Sequence, residues 1–293
     1  MSKEWGHAAS VEPETVDGAL LARLSRDHDV AAELRGAERR ARRPADPRVS
    51  VVIPALNEAP NLPYVLPRLP PSVDEVILVD GRSTDETVEL ARQLLPEIRV
   101  VTESAAGKGA ALRTGFAACT GDVVVMLDAD GSTDPGEIPL FVGALLAGAD
   151  FVKGSRFLLG GGTADMPRHR RLGNHGFVLL TRVLFGARFS DLCYGYNALW
   201  TDVIDDLDLS AIGFEVETMM NIRAHRSGLR IAEVPSFEYR RRYGEGRLRT
   251  FADGWRVLKT IVRERLRREP AVESERRPQL IGDEEALSIG IDG

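Results

Sequence analysis

Gly121-Asp-Val-Val-Val-Met-Leu-Asp-Ala-Asp130 is the stretch that decides how this chain folds. Val123 to Leu127 is an unbroken apolar, β-branched run of strand length, and it stops at Asp128, with a second acid two positions on. Such a run belongs to a strand covered on both faces, as in a parallel sheet sandwiched by helices. Residues two apart in an extended segment project the same way, so Asp128 and Asp130 share a direction. Two carboxylates so held repel unless a cation lies between them. Their oxygens suit a hard divalent ion, Mg2+ or Mn2+, which can also bridge a diphosphate. Surface loops carry Asp-x-Asp as well; the position after a buried strand is what gives this pair its weight.

Working outward, the same pattern recurs. Val49-Ser-Val-Val-Ile53 is stopped by Pro54, and Val76-Ile-Leu-Val79 by Asp80; Ile98-Arg-Val-Val101 follows, and Phe151-Val152 leads a fifth run. Helical segments separate them. Ser83-Thr-Asp-Glu86 has capping-box spacing ahead of Thr87 to Leu95, Gly107-Lys-Gly109 opens a second helix through Phe116, and Asp134-Pro135 opens a third. Alternation of this kind predicts an α/β fold with a mostly parallel sheet and helices on both faces. Ligands of such sheets bind at the carboxyl ends of the strands, where Asp80, Asp128 and Asp130 all fall.

The remaining features set bounds. With 293 residues, 43% apolar and 28% charged, the chain can bury a sizeable core. A net charge of −6 argues against nucleic-acid binding over the whole surface. Cys119 and Cys193 stand far apart without metal-ligand spacing and are expected as reduced thiols in a cytoplasmic protein. Met1 to Glu14 lacks the apolar core of a secretory signal, and no run of about 18 apolar residues occurs, so any membrane role is expected to be peripheral. The expected organisation is an N-terminal extension over 1–47, helical in part within 17–43, a folded unit over 48–268, and a mobile tail over 269–293.

Five segments, in order, make the pattern specific: Val51-Val-Ile-Pro-Ala-Leu-Asn-Glu58, Leu78-Val-Asp-Gly-Arg-Ser-Thr-Asp85, Gly107-Lys-Gly109, Gly121 to Asp130, and Lys153-Gly-Ser-Arg156. Together they resemble the nucleotide-sugar half of family 2 glycosyltransferases, which have the GT-A fold. Asp191-Leu-Cys-Tyr-Gly-Tyr196, Glu233-Val-Pro235 and Arg241-Arg-Tyr-Gly-Glu-Gly-Arg-Leu248 are similar to polyprenyl- or dolichyl-phosphate sugar synthases. The resemblance covers about residues 49 to 265. It implies a Rossmann-like nucleotide-binding half, 48–157, fused to an acceptor half, 158–268.

The resemblance also implies site residues. Pro54, Ala55, Asn57 and Glu58 would line the base and ribose pocket, with Asp80 on the nucleoside. Lys108, Ala129 and Arg156 would complete the donor site. Asp128, Asp130 and Ser132 would hold Mg2+ or Mn2+. The family often has a second acid after the first, where this chain has Gly81. Asp85 is expected instead at a helix start. Leu159-Gly-Gly-Gly-Thr-Ala-Asp-Met-Pro-Arg-His-Arg-Arg171 reads either as a lid carrying phosphate-binding arginines or as a solvated loop. Arg170, Arg171, Arg241 and Arg247 match basic positions for phosphate and acceptor. Glu217, on the segment Gly213 to Gly228, matches the position of a base, with Asp191 and Glu215 as competitors; Val216 stands where the family has a further acid. An anionic lipid phosphate needs no strong base.

Phe251, Trp255, Leu258, Val262 and Leu266 recur at spacings of three and four, with Arg256, Lys259, Arg263, Arg265, Arg267 and Arg268 on the flanks. That face either packs on the domain or meets an anionic membrane surface. The expected activity is metal-dependent sugar transfer from a UDP- or GDP-sugar to a polyprenyl phosphate, with inversion, at the inner face of the membrane. A soluble phosphorylated metabolite or natural-product intermediate is the alternative acceptor. A sugar-phosphate nucleotidyltransferase would carry a Gly-rich loop where this chain has Pro54 to Glu58, and a non-catalytic scaffold would not depend on Asp128.

Overall fold

The computed structural model describes residues 33–246 and 249–267. Seven strands form one sheet: β1 (Val49–Ala55), β2 (Glu75–Asp80), β3 (Arg99–Thr102), β4 (Val123–Met126), β5 (Phe151–Ser155), β7 (Asn197–Trp200) and β8 (Ile231–Pro235). Their order is β3-β2-β1-β4-β7-β5-β8. The short β6 (Gly162–Thr163) and β9 (Phe237–Glu238) pair beside it. Among the main strands β7 runs antiparallel to both its neighbours, and the remaining pairs are parallel. The chain enters at β1, builds outward to β3, then crosses back to lay β4 on the other side of β1. That reversal is where doubly wound sheets open a crevice at their carboxyl edge.

The apolar runs become strands because both faces are covered. Val51, Ile53 and Val125 point to one core with α3 (Ile138–Leu146). Val52, Ile77, Val79, Val124 and Met126 point to the other, with α2 (Lys108–Ala118) and α6 (Val216–Arg226). Alternation along each strand divides the two sets. A third cluster joins α4 (Arg168–Phe185), α6 and α7 (Thr250–Leu266) around Ala187, Phe189, Leu192, Ile222, Val257 and Ile261. Two further helices are α1 (Thr87–Leu94) and the single turn α5 (Ile204–Leu207).

Three expectations need correction. The Ser83–Glu86 capping box does not form: Glu86 caps without a side-chain bond, and Ser83 Oγ accepts instead from the Asn57 N–H at 2.9 Å. Asp85 holds the first turn of α1, accepting from the Thr87 N–H at 3.1 Å and from its hydroxyl. The glycine loop after Leu159 does not carry the arginines, because Arg168 already begins α4, and Arg170 and Arg171 ride on its first turn. Thirdly, α7 does not pack through the stripe legible in its spacing. Val257, Thr260 and Ile261 face the core together with Asp253 and Glu264, whereas Phe251, Trp255, Val262 and Leu266 lie outside.

Residues 33–41 are helical and lie at the amino end of the strands, far from the acids. Arg40 and Arg43 both meet Asp150, at 2.9 and 2.6 Å, and Arg43 also meets Asp202 at 2.8 Å while covering the Trp200 ring. A hollow of about 510 Å3 opens there beside Arg35, Asp122 and Trp200. Residues 1–32 and 269–293, on which the expected extension and tail largely fall, lie outside the described residues, as does Arg268. Cys119 and Cys193 are free thiols, with burial pushing each up to about 12.

Candidate active site

The carboxyl ends of β1 and β2 are tied into one surface. Ala55 stands opposite Asp80, and the Gly81 N–H returns to the Ala55 carbonyl at 2.9 Å. Asp80 is buried and spends its carboxylate on its own turn, accepting from Ser83 N at 3.1 Å and Arg82 N at 3.2 Å. Asn57 takes a left-handed φ of 55°, which a short polar side chain tolerates, and its Oδ1 accepts from Thr84 N at 2.7 Å. Pro54, Ala55, Asn57 and Asp80 therefore shape one rigid ledge.

From the first position of α2, Lys108 reaches the acids. Gly107 and Gly109 flank it because the 211–212 segment presses on the start of α2: a Cβ on either glycine would lie 2.3 Å from a carbonyl oxygen of that segment. The Gly109 N–H donates to the Ile212 carbonyl at 2.7 Å. So pinned, Lys108 sets its Nζ 2.6 Å from Asp128 Oδ1 and 2.9 Å from Glu217 Oε1. Burial alone would depress the ammonium, but the two carboxylates outweigh it and hold it firmly charged. Gly195 forms the floor of this cluster. A Cβ there would stand 2.5 Å from Lys108 Nζ and 2.9 Å from Glu217 Oε1.

Asp130 is answered from a different direction. Its Oδ1 accepts from Ser132 N at 2.9 Å, and Arg241 Nη1 approaches Oδ2 at 3.4 Å. Burial first, and the neighbouring Asp128 charge second, raise the Asp130 carboxyl above its usual range. The same guanidinium grips Glu58 through Nη2, at 2.6 and 2.5 Å, and its Nε donates to the Tyr243 carbonyl at 2.7 Å. Asn61 supports both, donating to Glu58 Oε2 at 2.7 Å and accepting from Tyr243 N at 3.0 Å. Tyr239 N donates to the Ser132 carbonyl at 2.7 Å. Residues 239–243 thus lie across the acidic loop. Gly195 and Tyr243 had no signal in the sequence beyond their place in motifs, and Asn61 and Tyr239 had none.

The second half is organised around Arg156 and Asp191. Nε and Nη2 of Arg156 form a fork on the Asp191 carboxylate at 2.7 and 3.0 Å, Nη1 meets Glu238 at 3.1 Å, and the guanidinium covers the Tyr194 ring. Burial opposes ionisation of Asp191, but Arg156 prevails and holds that carboxyl below its usual range. Asp191 is thus fully buried and paired with Arg156, itself 5% exposed. Arg171 lies over Phe157, whose ring packs on His175. Glu215 caps Gly213 N at 3.2 Å and stands at the start of α6. Arg247 lies outside the described residues.

No cluster of three or more His, Cys, Asp or Glu able to hold a metal ion occurs among the described residues. Two carboxylates of like charge, with an ammonium and a guanidinium already drawn to them, nevertheless form a site that wants positive charge. Such a pair suits Mg2+ or Mn2+, which commonly takes one or two carboxylates and completes its shell with substrate phosphate and water. Ala129, 3% exposed, fixes the backbone between the two acids, and Ser132 adds a hydroxyl beside Asp130.

Comparison with known proteins bears on this site. The family model for glycosyl transferase family 2 matches residues 50–208. An undecaprenyl-phosphate mannosyltransferase of Micrococcus luteus is 35% identical over 215 residues, 69% of this chain and 87% of that protein. A dolichol-phosphate mannosyltransferase of Pyrococcus furiosus is 32% identical over 212 residues, 69% of this chain and 59% of its own greater length. Among solved structures, glucosyl-3-phosphoglycerate synthase of Mycobacterium tuberculosis, in complex with Mn2+, UDP and glucosyl-3-phosphoglycerate, aligns with a TM-score of 0.62 and 28% identity. That alignment covers 76% of this chain and 81% of that one. The fold is therefore GT-A, and the chain belongs to glycosyl transferase family 2.

Proposed function

We propose that this enzyme moves a hexosyl group from a nucleotide diphosphate sugar to a polyprenyl phosphate, with inversion, and that Asp128 and Asp130 hold the Mg2+ or Mn2+ it needs. The observation that carries the donor half is the convergence of both acids with Lys108 and Arg241 at one sheet edge. The acceptor half is supported by the polyprenyl-phosphate relatives, at 32 and 35% identity.

On this reading the ledge of Pro54, Ala55, Asn57 and Asp80 receives the nucleoside, and Lys108 and Arg241 face the phosphates. Divalent metal bound at the acids would offset charge on the departing nucleoside diphosphate. The new bond forms from an acceptor phosphate oxygen to the anomeric carbon as the bond from that carbon to the diphosphate oxygen breaks. The electron pair leaves on the diphosphate. The attacking oxygen is already anionic, so no proton has to be taken. That agrees with Glu217 being committed to Lys108, which makes it a positioning residue. Arg170 and Arg171, on the first turn of α4, are the cations proposed for the acceptor phosphate.

A second reading keeps the donor chemistry and uses a soluble phosphorylated acceptor. The likeness to glucosyl-3-phosphoglycerate synthase favours it. Incubating the full chain with labelled UDP- and GDP-sugars, Mn2+ and either detergent-dispersed polyprenyl phosphate or 3-phosphoglycerate separates the two. A lipid-linked product lost with chelator and in Asp130→Asn supports the first reading. Product on 3-phosphoglycerate alone moves the assignment to the second, and product on neither overturns both.

A further inference from the structure

Lys153 is a fully buried lysine with no ion pair among the described residues. It lies in β5 and turns, like Phe151 two positions before it, to the face that α6 covers. Its Nζ donates to the Tyr194 carbonyl at 3.5 Å. Asn197, its partner across the β5–β7 register, donates Nδ2 to the same oxygen at 3.3 Å. Burial pushes the Lys153 ammonium down, and Asp191 and Glu233 oppose that from a distance. Both acids are engaged elsewhere, Asp191 in the Arg156 fork and Glu233 with Ser190 N at 3.0 Å.

A buried ammonium so weakly compensated opposes folding, and an apolar chain of like length would suit the same space better. Stability therefore does not account for a lysine here, whereas the group it holds does. The Tyr194 carbonyl belongs to the peptide that leads into Gly195, a residue with no side chain to restrict its own dihedrals. A Cβ on Gly195 would lie 2.5 Å from Lys108 Nζ, 2.9 Å from Glu217 Oε1 and 3.2 Å from Asp128 Oδ2. One peptide thus borders all three charges of the cluster. The carbonyls around it are fastened from the same end of β5. Arg156 Nη2 donates to the Cys193 carbonyl at 3.0 Å, and Gly154 N to the Tyr196 carbonyl at 2.9 Å.

We infer that Lys153 is a positioning residue of the donor site: it fixes the Tyr194–Gly195 peptide from inside the fold and so sets where Lys108 meets Asp128 and Glu217. Two donors converge on one carbonyl and use both its lone pairs. A turn of that peptide would carry Gly195 toward or away from the Lys108 ammonium. This role rests on the donor half of the proposed function, in which Lys108 and the acids meet the diphosphate, and not on the acceptor.

The test is calorimetric titration of UDP and of GDP, each with Mn2+ and without acceptor, into the full chain. Wild type, Lys153→Met, Lys108→Met and the double variant are compared, beside urea unfolding of each. Lys153→Met should unfold at or above the wild-type midpoint, because methionine fills the space without a buried charge. It should nevertheless weaken binding of the nucleotide that wild type takes up by about tenfold or more, since displacing a charge by about 1 Å is enough. The double variant should fall within about twofold of Lys108→Met alone, because one side chain acts through the other. Binding unchanged in Lys153→Met, or losses that multiply in the double variant, overturn the role. So does a lowered unfolding midpoint in Lys153→Met, which would make the lysine structural. A wild-type chain that takes up neither nucleotide sinks the donor reading and the role with it. Uptake that Lys153→Met loses, in a chain that transfers sugar to no acceptor, sustains the role and sinks the acceptor reading alone.

Discussion

Lys108 Nζ lies 2.9 Å from Glu217 Oε1 and, on its other side, 2.6 Å from Asp128 Oδ1. One ammonium therefore couples the carboxylate that resembles a base to the carboxylate that would hold metal. If Glu217 serves by positioning Lys108, Glu217→Gln keeps a hydrogen-bond acceptor and should lower kcat by no more than about tenfold. Loss of a general base would cost about 100- to 10,000-fold. Single-turnover rates for the two variants Glu217→Gln and Glu217→Ala separate the cases, and only the second should be severely impaired.

Gly195 is the floor on which this ion pair rests. Gly195→Ala should displace Lys108 from Asp128 and reduce transfer about 10- to 100-fold, because misplacing a charge by about 1 Å is enough. The donor KM should rise with it, whereas unfolding midpoints should change by less than those of a core substitution. Steady-state kinetics beside a thermal melt will show whether the loss is local.

The Arg156–Asp191 fork makes a pH prediction. Asp191 is held below its usual carboxyl range when folded. Its contribution to stability is therefore full above the unfolded value of about 3.9 and is lost as pH falls through the lower folded value. Asp191→Asn should cost about 3–5 kcal/mol at neutral pH by removing one partner of a buried ion pair and leaving the guanidinium to Glu238 alone. It should also flatten the loss of stability between about pH 5 and about pH 3 relative to wild type. Urea unfolding across that range measures both effects.

How much of this was legible in the sequence depended on range. The strands and the Asp128–Asp130 pair were readable because their signals are local: an apolar run, a stop, and a spacing of two. The glycines beside Lys108 read as a helix opening, but not as room for the carbonyls of 211 and 212. Arg241 lies 183 positions from Glu58 and 111 from Asp130, and no periodicity links such positions. On α7 the spacing revealed a stripe without saying which way it faces. Glu264 settles that by finding an inward partner in Arg223, 41 positions away, a contact that only the assembled fold brings about.

Arg241 bridges Glu58 and Asp130, so it should respond to the donor. Arg241→Lys retains the charge but cannot span both acids with one planar fork. It should raise the KM for the donor about tenfold or more while leaving the acceptor KM nearly unchanged. Equal increases in both constants would show that Arg241 acts on the acceptor instead.

The central claim is that Asp128 and Asp130 form one metal and diphosphate site, and a thermal-shift matrix tests it most directly. Wild-type chain is melted with Mn2+, with UDP- and GDP-sugars, and with both together, beside Asp128→Ala and Asp130→Ala. The account predicts a large rise for one nucleotide sugar only when Mn2+ is present, equivalent to about 2.7 kcal/mol at a hundredfold excess over Kd, and no rise in either variant. Equal stabilisation of wild type and both variants, or stabilisation by the sugar nucleotide that ignores the metal, would contradict it.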